Sequence, residues 1–177
     1  MANLTDRMIR AAKLDIHLYE EVEADKQAMG QAMTVVILSS VAAGVGTITS
    51  IGPLGFLLGT VAALVSWFVW AFLAYFIGTQ IFPEPQTHAD LGQLLRTIGF
   101  SSSPGVLRVL GVVPVLGNLV FVVAGVWMLV AMVIAVRQAL DYRSTGRAVG
   151  VCFLGWIVMM SVNLLLFNIV GGTGTPS

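Results

Sequence analysis

The chain has 177 residues, of which 57% are apolar, 10% are charged and 19 are glycine, and its mean hydropathy is +0.91. A soluble domain carries about 25% charged residues, so this composition excludes that class and makes lipid the expected solvent. Nine bases balance nine acids without forming a basic stripe, which excludes nucleic acid as a partner.

Charge divides the chain in two: Met1 to Lys26 holds six acids and four bases, and the next 57 residues hold none. Residues 1–27 are expected to be a cytosolic head, polar from its first residue and therefore not a cleavable signal peptide. Leu4, Met8, Ala11, Ala12 and Ile16 recur at helical spacing opposite Asp6, Arg7, Arg10 and Lys13, the pattern of an amphipathic helix. Asp15 can cap a second short helix whose acids, Glu20, Glu21 and Glu23, are expected to form a solvated face. Such a head either rests on the bilayer or the loops, or offers a docking surface to a cytosolic partner.

Residues 28–170 are expected to cross the bilayer five times, because a crossing takes about 20 apolar helical residues. The first two runs, 28–51 and 54–82, are separated by Ile51-Gly52-Pro53-Leu54-Gly55, a composition for a tight reversal. Pro83 to Asp90 is a polar loop, and Asp90 can cap a helix starting at Leu91. The third crossing, 91–117, is expected to be broken, since Ser101-Ser102-Ser103-Pro104-Gly105 and Pro114 interrupt it; a re-entrant hairpin is the competing geometry. Runs 119–136 and 148–170 complete the set, and 171–177 form a small-residue, flexible tail. The fold class is thus all-α, a polytopic transmembrane helical bundle of five spans with a broken third span, behind a short amphipathic helical head. Five crossings put eight of nine Lys and Arg on one side, with the N-terminus cytoplasmic and the C-terminus outside.

Residues able to carry chemistry are few. His17 and His88 have no His or Cys at ligand spacing, Gly44-Val45-Gly46 lacks the third glycine of a dinucleotide loop, and Cys152 lies in an apolar run as a small hydrophobe. No catalytic set, metal or cofactor is expected. Arg108 is the costly residue, as an arginine at the centre of a membrane helix costs about 2.5–3.5 kcal/mol. Its compensation can be a lipid phosphate, carbonyls freed near Ser103-Pro104, or a polar pocket, with Ser161, Asn163 and Asn168 of the last run as polar partners. Arg137, Arg143 and Arg147 are candidates to collect anionic lipid. Gly55 with Gly59, Gly146 with Gly150, and more loosely Ala42 with Gly46, permit close helix approach within or between chains. Trp67, Trp70 and Trp127 lie inside their runs and read as packing surfaces.

A polar acidic head, five spans and a middle crossing that reads Leu94-Leu95-Arg96-Thr97-Ile98-Gly99-Phe100, then Pro104, Leu107 and Pro114, resembles the Yip family of Rab-GTPase-interacting membrane proteins. The resemblance spans roughly residues 10–170, with Gly99-Phe100 before Pro104 as its most specific part. It implies a five-span fold, vesicle traffic in eukaryotic members, GTPase contact through the head and association through the spans. The head here has Leu18-Tyr19-Glu20-Glu21-Val22 in place of the family's Asp-Leu-Tyr-Gly-Pro signature, so the GTPase contact is not carried over. The short loops resemble the prokaryotic branch and imply the cytoplasmic membrane of a bacterium. The functional expectation is a non-enzymatic scaffold or accessory subunit, contacting lipids and other membrane proteins or its own copies. The alternative is a small transporter or lipid-handling protein built on the broken third span and Arg108.

Overall fold

The computed structural model describes residues 3–46, 48–113 and 115–171, with backbone alone at 48–53, 163 and 166–171. The head folds as two short helices, α1 (Leu4–Ala12) and α2 (Ile16–Ala24). Each begins where an Asx side chain accepts from an otherwise orphaned amide: Asn3 from Thr5 N at 3.2 Å and Asp15 from His17 N at 3.0 Å. Leu14 turns the chain between them at a φ of 61°, which confines the reversal to a few residues. Asp25 repeats the device on Gln27 N at 2.9 Å, capping the 3₁₀ turn Lys26–Ala28 that leads into α3 (Met29–Gly46).

The next helix, α4 (Ile48–Phe76), continues into a π-helical turn, Ile77–Ile81. This corrects the expected reversal at Ile51 to Gly55: α3 and α4 meet around residue 47, and α4 runs through Pro53. Pro53 is an early residue of α4, where the hydrogen-bond ladder has scarcely begun, so its missing N–H forfeits a single bond. At the other end, the π turn loosens carbonyls that Tyr142 takes up, its hydroxyl donating to Gly78 O at 2.9 Å and to Phe82 O at 2.8 Å.

A reciprocal capping box starts α5 (Leu91–Ser101): Asp90 accepts from Gln93 N at 2.8 Å, and Gln93 accepts from Asp90 N at 2.6 Å. The helix stops where Pro104 would set its ring against the carbonyl of Phe100. Ser103 instead donates to Phe100 O and Ser101 to Ile98 O, both at 2.7 Å, and the chain continues as a 3₁₀ helix, Ser103–Val112. The serines that break the apolar run are therefore the groups that satisfy the break. Two long helices follow, α6 (Gly117–Ala139) and α7 (Thr145–Gly171).

Among the described residues, four stretches are long and apolar enough to cross a membrane: Lys26–Gly46, Leu54–Ile81, Gly117–Ala139 and Thr145–Val162. The expected third crossing is not among them, its 11-residue and 10-residue helical pieces each being too short alone. Those pieces nevertheless run alongside α3 in the same direction. Gly99 abuts Ala32, Gly105 abuts Ser39, and Gly111 lies against Gly46, a Cβ built on Gly111 falling 3.4 Å from Gly46 Cα. From Leu94 to Ser101 every residue of α5 is buried. Around it, Leu18, Tyr19, Val22, Ala32, Val35, Phe100 and Ala135 form one apolar cluster, and Leu94, Ile98, Ala71, Val136, Leu140 and Val151 belong to another. By contrast, only 6% of the α4 span is buried, against 39% for α3, which places α4 at the edge of the bundle.

Candidate functional site

Three arginines are held inside the protein, and the differences between them define the candidate site. Arg7 is 5% exposed. Its guanidinium donates to Glu21 at 2.9 Å, to Gln31 at 2.9 Å and to Asp25 at 2.8 Å. Arg10 adds Asp15 at 2.8 Å and Glu21 at 2.7 Å. These bonds hold the carboxyls of Glu21, Asp15 and Asp25 below the ordinary range. Arg96, also 5% exposed, reaches from α5 to the carbonyls of Val22, at 2.9 Å, and Glu23, binding the C-terminal turn of α2.

The expected apolar face of the head holds at Leu4, Met8 and Ala11, which pack into the cluster of Leu18 and Tyr19, and is corrected at Arg7 and Ile16. Arg7 lies on the buried face of α1, while Ile9 and Ile16 are exposed. The acids are not one solvated face either: Glu21 joins the ion-pair network and Glu20 accepts from Gln138 at 3.0 Å. Glu23 accepts from Gln93 at 3.1 Å, and burial, together with the charge of Asp141, pushes its carboxyl up to about 7. Opposite charges at the end of the chain's polar stretch found one another, and helical periodicity carries no sign of that.

Arg108 stands apart. Its carbonyl oxygen abuts Gly46, yet its side chain turns back along α3, Nη2 donating to Ser39 Oγ at 2.7 Å and Nε to Gly105 O at 3.1 Å. Ser39, which sequence reasoning did not single out, replaces the polar residues expected from the last run. Ser161 bonds within its own helix to Ile157 O at 2.9 Å, and the side chains of Asn163 and Asn168 lie outside the described residues. Gly105 is needed here, because a Cβ on it would lie 2.7 Å from Arg108 Nη2 and 2.8 Å from Met128 Sδ. The guanidinium borders a cavity of about 290 Å³ lined by Ser39, Ser40, Ser66, Ser101, Ser102, Trp67, Trp70, Met128, Met132 and Met159 among others.

The remaining arginines brace loops. Arg137 donates to Tyr142 O at 3.2 Å, and Arg147 pairs with Glu84 at 3.2 Å and donates to Pro83 O at 3.1 Å. The main chain at Arg143 donates to the other oxygen of Glu84 at 3.1 Å, leaving its side chain exposed. The head and the loops at 82–90 and 140–144 are thus joined at one end of the bundle, with Gly46, Gly111 and Gly117 at the other: a Cβ on Gly117 would lie 3.1 Å from Gly111 O.

Of the small-residue pairs expected to pack, Gly46 of the looser pair does so, against the carbonyl of Arg108 and the ring of Phe121. Nothing lies within 4 Å of a Cβ built on Gly59 or Gly150, and Gly146 meets only Ser144 Oγ at 3.4 Å; Gly55 and Gly59 line a cavity of about 220 Å³ beside Arg108. Close contacts that the pairs did not signal fall at Gly99, Gly105 and Gly111, among others. Gly99, Phe100 and Pro104 are buried at the break, and Pro114 lies outside the described residues. Trp67 Nε1 donates to Leu95 O at 3.0 Å and Trp127 Nε1 to Ala12 O at 2.8 Å. Trp70 Nε1 is buried with no hydrogen-bond partner among the described residues. Cys152 is buried, His17 lies 3.4 Å from Glu20, and His88 is exposed.

An all-α chain with several bilayer-length apolar helices is an integral membrane protein. The Yip1 domain family matches residues 19–166, and the chain belongs to that family. No curated protein and no solved structure matches the chain.

Proposed function

We propose that this Yip-family protein crosses the membrane five times and acts without catalysis, as a scaffold or accessory subunit that associates laterally with other membrane proteins or with copies of itself. The third crossing is supported by the path of α5 and the 3₁₀ helix, which keep pace with α3 from Ala32 to Gly46. A re-entrant hairpin would return toward the head instead. The head and the loops at 82–90 and 140–144 then face the cytoplasm and the carboxyl end lies outside, in the cytoplasmic membrane of a bacterium.

The observation that carries the lateral role is α4. Leu54, Leu57, Leu58, Val61, Val65, Phe68 and Phe72 are exposed along one face of a long helix, an unbroken apolar stripe against which another membrane helix can pack. Two experiments test the reading. Cysteines at His88→Cys and Val115→Cys, in a Cys152→Ser background, should react with an impermeant maleimide from opposite sides of the membrane; reaction from one side removes the third crossing. Oxidation of Val61→Cys, on the exposed stripe of α4, in native membranes should give a crosslinked species larger than the monomer, and a persistent monomer with no partner counts against the scaffold.

A further inference from the structure

We propose that the cavity at Arg108 binds an amphiphile with one anionic head, a fatty-acid carboxylate or a phospholipid phosphate, whose head sits on Arg108 and whose hydrocarbon tail runs past Trp70 toward α7. The inference is independent of the lateral role.

The direction of the side chain is the first ground. An arginine in a membrane helix ordinarily extends toward the nearer water face. Arg108 lies three 3₁₀ residues beyond Gly105, which abuts Ser39, and its side chain turns back to Ser39, about 6 Å deeper at 2.0 Å per residue. The second ground is charge. Every Asp and Glu of the chain lies at or before position 25 or at 84, 90 and 141, and Arg108 makes no ion pair among the described residues; its partners are the hydroxyl of Ser39 and the carbonyls of Ser39 and Gly105. A guanidinium held away from water by neutral partners alone is the cation for which a bound anion makes the largest difference, and its planar fork matches carboxylate and phosphate oxygens.

The third ground is the shape of the space. The cavity beside Arg108 is also lined by Trp70, whose Nε1 is buried without a hydrogen-bond partner among the described residues. It shares Trp70 and Met132 with a neighbouring cavity of about 360 Å³ lined by Leu129, Val133, Val149, Cys152, Phe153 and Trp156. Phe153, Trp156 and Leu129 are exposed, so this apolar tract opens on the lipid side between α6 and α7. A cation at the inner end and an apolar exit to the bilayer past Trp70 and Met132 is the layout of a site for a charged head with a tail.

Delipidated full-length protein in detergent is titrated with oleate, dioleoyl phosphatidylglycerol and the uncharged oleyl alcohol, and occupancy is read by native mass spectrometry. One equivalent of oleate or of phosphatidylglycerol should bind, which of the two identifying the head, with oleyl alcohol at least tenfold weaker. Arg108→Gln should weaken the bound anion about tenfold or more, Arg108→Lys less, and Trp70→Phe by a few-fold. Met132→Trp, which fills the tail path and leaves Arg108 in place, should lower occupancy with an unchanged melting temperature, so the proposal stays testable if an Arg108 variant fails to fold. Equal binding of oleyl alcohol and oleate, or equal occupancy in wild type and Arg108→Gln, overturns it.

Discussion

The joint between the head and α5 and the cleft at Arg108 both bury an arginine, and they complete it differently. Arg7 is surrounded by Glu21, Asp25 and Gln31, and the neighbouring Arg96 by two carbonyls of α2. Every donor there has a local reason to stay, and the result is a rigid attachment of two short helices that could not hold alone. Docking also removes Leu18, Tyr19 and Val22 fully from solvent, each worth about 1.5–3 kcal/mol where the alternative is water. Arg108 has neutral partners only, beside empty space. A satisfied buried charge marks structure, and an incompletely satisfied one at membrane depth marks a place for something else.

Breaking the finished joint gives the largest expected effect. Arg7→Ala leaves Asp25 without its cation and Glu21 with Arg10 alone. Both carboxylates are about one-third exposed, so the loss should be about 2–3 kcal/mol, below the roughly 3–5 kcal/mol of a fully buried pair. Hydrogen exchange across residues 4–24 should then rise towards that of a free helix, and an unchanged rate would mean the head is held by its apolar contacts alone. Arg108→Gln, by comparison, should leave the melting temperature of the lipid-free protein close to wild type.

The register between α3 and the broken segment can be attacked at Gly99. A Cβ there would lie 2.8 Å from Ala32 Cβ and 3.2 Å from Ala32 O, which is backbone and cannot swing aside. Gly99→Val should cost about 1–3 kcal/mol by overpacking, read as a lower melting temperature. Tolerance at Gly99 would show that α3 and α5 are not in fixed contact.

The smallest and most selective effect lies in Glu23. Its folded-state value of about 7 is raised by burial first, then by Asp141, with Arg96 opposing. Between the ordinary carboxylate range and 7 the folded head therefore binds more protons than the unfolded one, and stability falls as pH rises through that window. Glu21, Asp15 and Asp25 work the other way: their lowered values give stability above the ordinary range that is lost on acidification. Glu23→Gln should leave head protection unchanged near pH 4 and raise it at pH 8. A variant that gains nothing at pH 8 would place Glu23 in water.

Some local features were readable as they stand. Asp15 and Asp90 cap the helices that follow them because the capping interaction is made within three residues. The break at Ser101 to Pro104 follows from the ring of Pro104 in the same way. Pro53 misled because a proline's effect depends on how far into a helix it falls, and α4 begins at Ile48, five residues before it. The acids of α2 misled because a helical wheel records which residues share a face and not what covers that face.

By itself, then, the order of amino acids determined that the chain is helical, that it lives in lipid, where most helices start, and which arginine is out of place; these follow from hydropathy, capping and the cost of desolvation, all of which act over a turn or a span. Only the tertiary structure decided that Arg7 and Arg96 are buried joints, that Gly99, Gly105 and Gly111 are in close contact, and that Arg108 turns inward to Ser39 beside open space. Those outcomes depend on which helices lie side by side, and such pairings join residues as many as 118 positions apart, beyond the reach of any local pattern.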